Sequence, residues 1–402
     1  MKTLYQLLFT VWLMLVVTGK MTAQLVQLYS TDSLAIESVH FPHPVMVDLH
    51  LPAHFQEERN RSYPLIILFD SYNQFTHEQN LNSIEMLTYH AQIPSCVVVG
   101  VPFNARDRWY YTSDEQKKAG DSLTGMDHTD QFVFQELIPM LRNSYHATGP
   151  LILLGHSRSG FLTAALMIRH AHEVDAIGSF SAFTEPGFTL ADLPDFLNKV
   201  ADRNHPLHFY MTAGAQNPEE EGYLYSLQQV AASLNQQENA QLQWSLTTFP
   251  YAGHMANYNF STPHVLLNYF GVYSQWLLDW LFVKLDQVAE GKALEEFIKD
   301  ENALKKHYGR LIQADIVHYV SLINQCSQNN RWTDALALAD RGLQYFPEEW
   351  ELRYLKAYTL MEMASPEADT YLKTCLQDLE KISETHASVV AEWQAYFLEK
   401  QK

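Results

Sequence analysis

Short, unbroken apolar runs alternate along this chain with stretches of helical spacing, and that alternation restricts its fold more than any other feature. Tyr63 to Phe69 (YPLIILF) and Cys96 to Val101 (CVVVGV) carry no polar residue at alternate positions. Leu151 to Leu154 is a shorter run of the same kind, and Ile177 to Phe180 is strand-like. A strand of this composition must be covered on both faces, which is the condition of a parallel sheet flanked by helices. Further strands are expected at Pro44 to Leu51, His208 to Thr212 and Trp244 to Phe249. Helices are expected at Gln131 to Leu141, Thr163 to His170, Tyr223 to Leu234 and, as one long aromatic helix, Tyr269 to Val283. Strands interleaved with crossover helices give an α/β fold with a mostly parallel central sheet.

Beyond about residue 285 the strand pattern stops. Lys284 to Lys306 is charged and helical and reads as a linker. Ala335, Ala339, Gly342 and Pro347 then fall at the offsets of the second helix of a tetratricopeptide-type repeat, with Tyr319 and Leu322 in its first helix. Ala357 and Leu360 begin a second, degenerate copy. An all-α, tetratricopeptide-like region over 286–402 is expected, either capping the catalytic part or offering a surface for a protein partner or self-association.

At the other end, Lys2 precedes an apolar run from Leu7 to Val17, and small residues lead to Thr22-Ala23-Gln24. That is the arrangement of a cleaved signal peptide, too short for a membrane span. The expected division is therefore 1–23 signal, 24–285 catalytic and 286–402 helical, with an exported, periplasmic or secreted product and no stable membrane span. Loss of Lys2 and Lys20 with no acid takes the formal charge from −19 to −21. Such an excess of acid argues against nucleic acid and anionic membranes as partners. The 3 Cys cannot form a disulfide framework, although Cys326 and Cys375 both fall in the helical region and invite pairing.

The chemistry is carried by Leu151 to Gly160, LILLGHSRSG. A buried strand runs directly into a small-residue turn and an apolar helix, the context of a G-x-S-x-G nucleophile elbow. Gly155 fills the −2 position, Ser159 stands at +2 where Gly is usual, and Gly160 follows. A serine nucleophile needs a base and the base needs an acid, in chain order Ser, acid, His. His254 follows the strand ending at Phe249, in a loop Pro250 to Met255. Glu219, Glu220 and Glu221 follow the strand ending at Gly214; Glu219, nearest the strand end, is the first choice and Glu221 the next. The same three carboxylates also suit the first turn of a helix, where they oppose the macrodipole. There is no HExxH, CxxC pair or glycine-rich phosphate loop, so neither metal nor organic cofactor is implied. His170-x-His172 and His40-x-x-His43 lack an acidic third ligand and read as incidental.

Four ordered blocks over about residues 36 to 283 together resemble the putative esterase family, α/β-hydrolases related to esterase D and the enterochelin (siderophore) esterases. Gly155-His156-Ser157-Arg158-Ser159-Gly160 resembles its GHSxGG, and YPLIILFD (63–70) its YPVIYLLD strand. VVVGVPFNARDR (97–108) resembles its VVVGI…R.RD block, and Glu136 to Pro139 its ELIP helix end. The resemblance implies an α/β-hydrolase fold, Ser157 as nucleophile and His254 as base. It further implies an oxyanion hole made by the backbone N–H of Arg158 and that of Ser71 or Tyr72. Ser71 and Ser159 stand where the family commonly has Gly. The expected activity is hydrolysis of a carboxylic ester through an acyl-Ser157 intermediate, the partner being a small-molecule ester. A siderophore lactone or a carbohydrate or aryl ester fits the aromatic loops. Tyr72, Arg108, Trp109 and Tyr251 are the expected substrate contacts, near the carboxyl ends of the strands. The alternatives are a weakened hydrolase-fold adaptor that works through its helical tail, or an acyltransferase on the same scaffold.

Overall fold

The computed structural model describes residues 29–52, 55, 61–103, 106–182, 193–237 and 239–379. The expected signal segment 1–23 lies outside them. The strands are β1 Tyr29–Ile36, β2 Val45–Pro52, β3 Leu65–Phe69, β4 Val97–Val101, β5 Leu151–His156, β6 Ala176–Phe180, β7 Leu207–Gly214 and β8 Leu242–Phe249. The helices that matter below are α1 Gln74–Tyr89, α2 Arg108–Tyr111, α3 Gly125–Gln131, α4 Ile138–Ser144, α5 Arg158–Arg169, α6 Leu193–Ala201, α7 Glu221–Asn235, α8 His254–Tyr269 and α9 Gly271–Asp279. Five more follow in the helical region: α10 Ala293–Tyr308, α11 Ile316–Gln328, α12 Trp332–Tyr345, α13 Trp350–Glu362 and α14 Ala368–Leu379.

The strands form one sheet in the order β1-β2-β4-β3-β5-β6-β7-β8. β2 is antiparallel to both β1 and β4, and every other pairing is parallel. This is the α/β-hydrolase arrangement. The apolar runs are continuous because each strand faces two cores. Leu65, Ile67 and Phe69 of β3 and Leu151 and Leu153 of β5 pack on one side with α3 to α7. Ile66 and Leu68, with Ile152 and Leu154, point to the other side, against α1, α8 and α9.

That second core does not stop at α9. It runs without a break through Phe297, Leu304 and Tyr308 of α10 into Tyr319, Leu322, Ala335 and Leu338 of α11 and α12. The stretch expected to be a linker is thus a packed helix whose Phe297 and Tyr308 are buried. Ion pairs lock the same seam. Arg310 Nε donates to Asp175 Oδ2 at 2.9 Å, and Arg61 pairs with Asp315, whose other oxygen accepts the Ser95 N–H at 3.1 Å. Ala335 and Ala339 are fully buried, and Gly342 lies where Tyr319 and Leu352 close in. All three cysteines are free.

Several elements differ from the sequence reading in their bounds or their presence. The long helix expected over Tyr269 to Val283 is present; it starts at Gly271, after a break at Phe270 that separates it from α8, and continues past Val283 to Gln287. β1 and α1 were not foreseen: β1 is an exposed edge strand of sequence YSTDSLAI, and α1 is polar with little periodicity, started by an Asn73 side chain that accepts the Thr76 N–H. His254 lies not in a loop but at the first position of α8, after the N-cap Gly253. Among the described residues no helix is long and apolar enough to cross a membrane, and no group of three metal-ligating side chains is gathered.

Candidate active site

Ser157 stands between the end of β5 and the start of α5 at φ 58°, ψ −117°. A non-glycine residue is held there only if its surroundings over-determine it. Here the Ser157 N–H donates to the Phe180 carbonyl at 2.8 Å and its own carbonyl accepts from Phe161 N–H at 3.1 Å. The crowding that demands small residues falls on Gly155 and Gly160. A Cβ on Gly155 would stand 2.2 Å from the Ser159 carbonyl oxygen, and one on Gly160 would be 3.1 Å from both Ala182 Cβ and the Phe180 oxygen. Ser159 itself is accommodated with its side chain fully buried. Its hydroxyl has no hydrogen-bond partner among the described residues, so the departure from Gly costs a desolvated hydroxyl and leaves the turn intact.

His254 comes to this turn from the far side. The residue next to Ser157, His156, donates its Nε2–H to the His254 carbonyl at 2.8 Å, and the two rings lie 4.3 Å apart. Burial, with His254 beside it, pushes His156 down to about 3, so its ring is neutral and serves as a fixed donor. Tyr223 of α7 stacks on the His254 ring at 4.4 Å.

The carboxylate facing His254 is Glu220, not Glu219. Its Oε1 lies 2.7 Å from His254 Nδ1, and the residue is fully buried. Oε2 accepts the Ser181 hydroxyl at 2.5 Å and the Gly214 N–H at 2.8 Å. Burial alone would raise the Glu220 carboxyl, but the bonds from His254, Ser181 and Gly214 outweigh it and hold the group below the usual carboxylate range. The selection is made by a 3-10 turn, Pro218–Glu220, started by Asn217, whose side chain accepts the Glu219 N–H at 3.0 Å. Glu219 then leans toward the His254 backbone N–H at 3.4 Å, on the exposed side, and Glu221 opens α7 facing solvent. Gly214 makes room for the chosen side chain, since a Cβ there would stand 2.7 Å from Glu220 Cγ.

Two further expectations change. The Ser71 N–H donates to the Val101 carbonyl at 3.3 Å, which removes it from the proposed oxyanion pair, while the Tyr72 N–H has no backbone acceptor among the described residues. Arg108, expected to contact substrate, has its side chain engaged within the protein. It makes a bidentate pair with Asp70, 2.7 Å on each arm, and its Nη2 also reaches the His156 carbonyl at 3.0 Å. Asp70, at φ 71°, begins the loop that carries Tyr72, so Arg108 ties that loop to the end of β5. Arg158 opens α5, with its backbone at the turn and its side chain buried. The guanidinium lies 4.0 Å from the Trp109 ring centre and its Nε donates to Thr112 Oγ1 at 3.2 Å. Tyr72, Trp109 and Tyr251 present exposed rings.

This serine–histidine–carboxylate set, on a strand-to-helix turn of a hydrolase sheet, is matched by family likeness. The model of the family described as "Putative esterase" matches residues 38–254, more than half the chain. The chain belongs to this esterase family. It is accordingly a serine-esterase-type hydrolase of ester bonds. No curated protein matches the esterase. Among solved structures it resembles an IroE-like serine hydrolase from Shewanella oneidensis, with 17% identity and TM-score 0.61, over 79% of this chain and 100% of that one. It also resembles an uncharacterised protein from Capnocytophaga ochracea, with 14% identity and TM-score 0.57, over 91% of this chain and 100% of that one. At such identities these two likenesses concern the fold alone.

Proposed function

We propose that the protein is an exported serine esterase that cleaves a carboxylic ester through an acyl-Ser157 intermediate. The observation that carries the reading is the 2.7 Å bond between His254 Nδ1 and the fully buried Glu220. With Nδ1–H engaged by the carboxylate, the lone pair of Nε2 is the ring's available base. Ser157 Oγ attacks the ester carbonyl carbon as Nε2 takes its proton, and Glu220 stabilises the imidazolium that forms. The tetrahedral oxyanion is met by the N–H groups of Tyr72 and Arg158, each such donor worth roughly 3 kcal/mol. His254 returns its proton to the leaving alcohol, and a water repeats the sequence to free the acid.

Exposed Tyr72, Trp109 and Tyr251 around the turn favour an ester with flat or ring-shaped groups, such as an aryl or carbohydrate ester or a siderophore lactone. Export rests on the sequence of residues 1–23. The test is labelling by a serine-directed fluorophosphonate, followed by a panel of those three ester types. Labelling that disappears in Ser157→Ala and falls sharply in His254→Ala supports the enzyme. A wild type that neither labels nor hydrolyses any ester overturns it in favour of an adaptor with a hydrolase fold.

A further inference from the structure

The groups behind Glu220 form a chain with one direction. Ser181 follows β6 at φ 41° and gives its only hydroxyl proton to Glu220 Oε2, because a carboxylate can only accept. Its oxygen accepts in turn from Asn257 Nδ2 at 2.7 Å. The orientation of that amide is fixed by a second loop of bonds. Asn257 Nδ2 also donates to Thr212 Oγ1 at 3.2 Å and to the Thr212 carbonyl at 3.4 Å; the carbonyl can only accept, so the amide nitrogen is the atom on that side. Thr212 Oγ1 pairs with Ser261 Oγ at 2.6 Å, and Ser261 donates to the Asn257 carbonyl at 2.6 Å. Ser181, Thr212, Asn257, Ser261 and Glu220 are all fully buried, so no water shares in these bonds without entering the core.

Asn257 lies one turn along α8 from His254. The helix that presents the base therefore also supplies the first donor of the chain that reaches the acid. Among the described residues no lysine or arginine pairs with Glu220; the ionisable groups around it are His254, Tyr223 and His156 beyond that ring, and the neighbouring Glu219.

We propose that Ser181 and Asn257 are positioning residues: the sequence Asn257 to Ser181 to Glu220 to His254 holds the carboxylate in its acceptor-only form and aimed at Nδ1. The inference rests on the reading of Ser157, His254 and Glu220 as the reacting set. The chain also explains why a fully buried carboxylate is tolerated without a fixed cation: three donors, Ser181, Gly214 and His254, converge on it.

The test uses the full chain and a neutral aryl ester, with kcat and KM read separately for Ser181→Ala, Asn257→Leu and the double variant. Loss of one charge-assisted hydrogen bond predicts a fall in kcat of roughly 10- to 100-fold, with KM within about 3-fold. Since Asn257 acts through Ser181, Asn257→Leu should cost under about 2-fold once Ser181 is already Ala. Ser181→Gly suits the positive φ and replaces the Ala variant if that one fails to fold. Unchanged kcat in folded single variants, or losses that multiply in the double variant, would overturn the proposal. Ser157→Ala and His254→Ala run beside them separate the two layers: active versions of these overturn the reacting set itself, whereas inactive ones with a wild-type Ser181→Gly overturn only the positioning role.

Discussion

Glu220 and Asp315 are both buried carboxylates, yet they are kept charged by opposite means. Asp315, at the seam between the sheet and the helical region, is neutralised by Arg61 and further bound by the Ser95 N–H. Asp175, on the same seam, faces Arg203, His205 and Arg310. Glu220 has neutral donors on one oxygen and His254 on the other. A carboxylate matched to a guanidinium has spent its field on a permanent cation and holds two pieces of chain together. One held by dipoles keeps its field for an imidazole that becomes a cation only during reaction. Structure and chemistry thus use the same side-chain type, and the partner decides which.

The contrast can be broken most directly at Glu220. Glu220→Gln should lower kcat by roughly 10³- to 10⁴-fold through loss of the imidazolium's partner, while the melting temperature changes little. Steady-state kinetics and a thermal melt on the same sample check both halves. Asp315→Asn should do the reverse: it removes the anionic partner of Arg61, at a cost of about 3–5 kcal/mol in denaturant unfolding, and leaves turnover per folded molecule within about 2-fold. Burial alone would raise Asp315, but Arg61 and its other partners hold it below the carboxylate range. Its contribution is therefore present above about pH 4 and lost as pH falls through the folded value. The acid limb of melting temperature against pH should flatten in Asp315→Asn.

A third ionic site tests the alkaline side. Burial would lower His170, but Asp130, at 2.5 Å, and Glu173 raise it to about 9 from an ordinary 6.5. A raised histidine stabilises fully below its unfolded value and stops doing so as pH rises through its folded one. The wild type should lose on the order of a few °C in melting temperature between about pH 6.5 and 9, and His170→Gln should abolish that slope. The smallest effect is expected at Glu219→Gln, where kcat should stay within about 3-fold; a loss as large as that at Glu220 would reverse the assignment of the acid.

What the chain discloses before folding follows from how local each feature is. Ser157 is legible because strand, turn and helix are contiguous, and the clash at Gly155 is with the same ten residues. His254 is legible from its place after β8, although its helix is not, since α8 begins at a Gly253 N-cap with no side-chain bond to announce it. Glu220 is hidden as one of three consecutive glutamates, and only a cap by Asn217 and the crowding at Gly214 sort them. The pairing of Arg108 with Asp70 is not legible, because the two lie 38 positions apart. β1 and α1 escape notice because neither has a strong apolar period.

The shared core beyond α9 bears on how such a chain can be cut or recombined. Tyr269, Tyr273, Trp276 and Trp280 are buried in one cluster with Phe297, Tyr308 and Tyr319. Ending the chain at residue 285 would strip an aromatic wall bare along the helix pair that starts at His254. The carboxyl-terminal third is therefore no detachable cassette. Any shuffling that gives this hydrolase a different tail must also supply a new inner lining for the sheet, or the base will sit on a helix with nothing behind it.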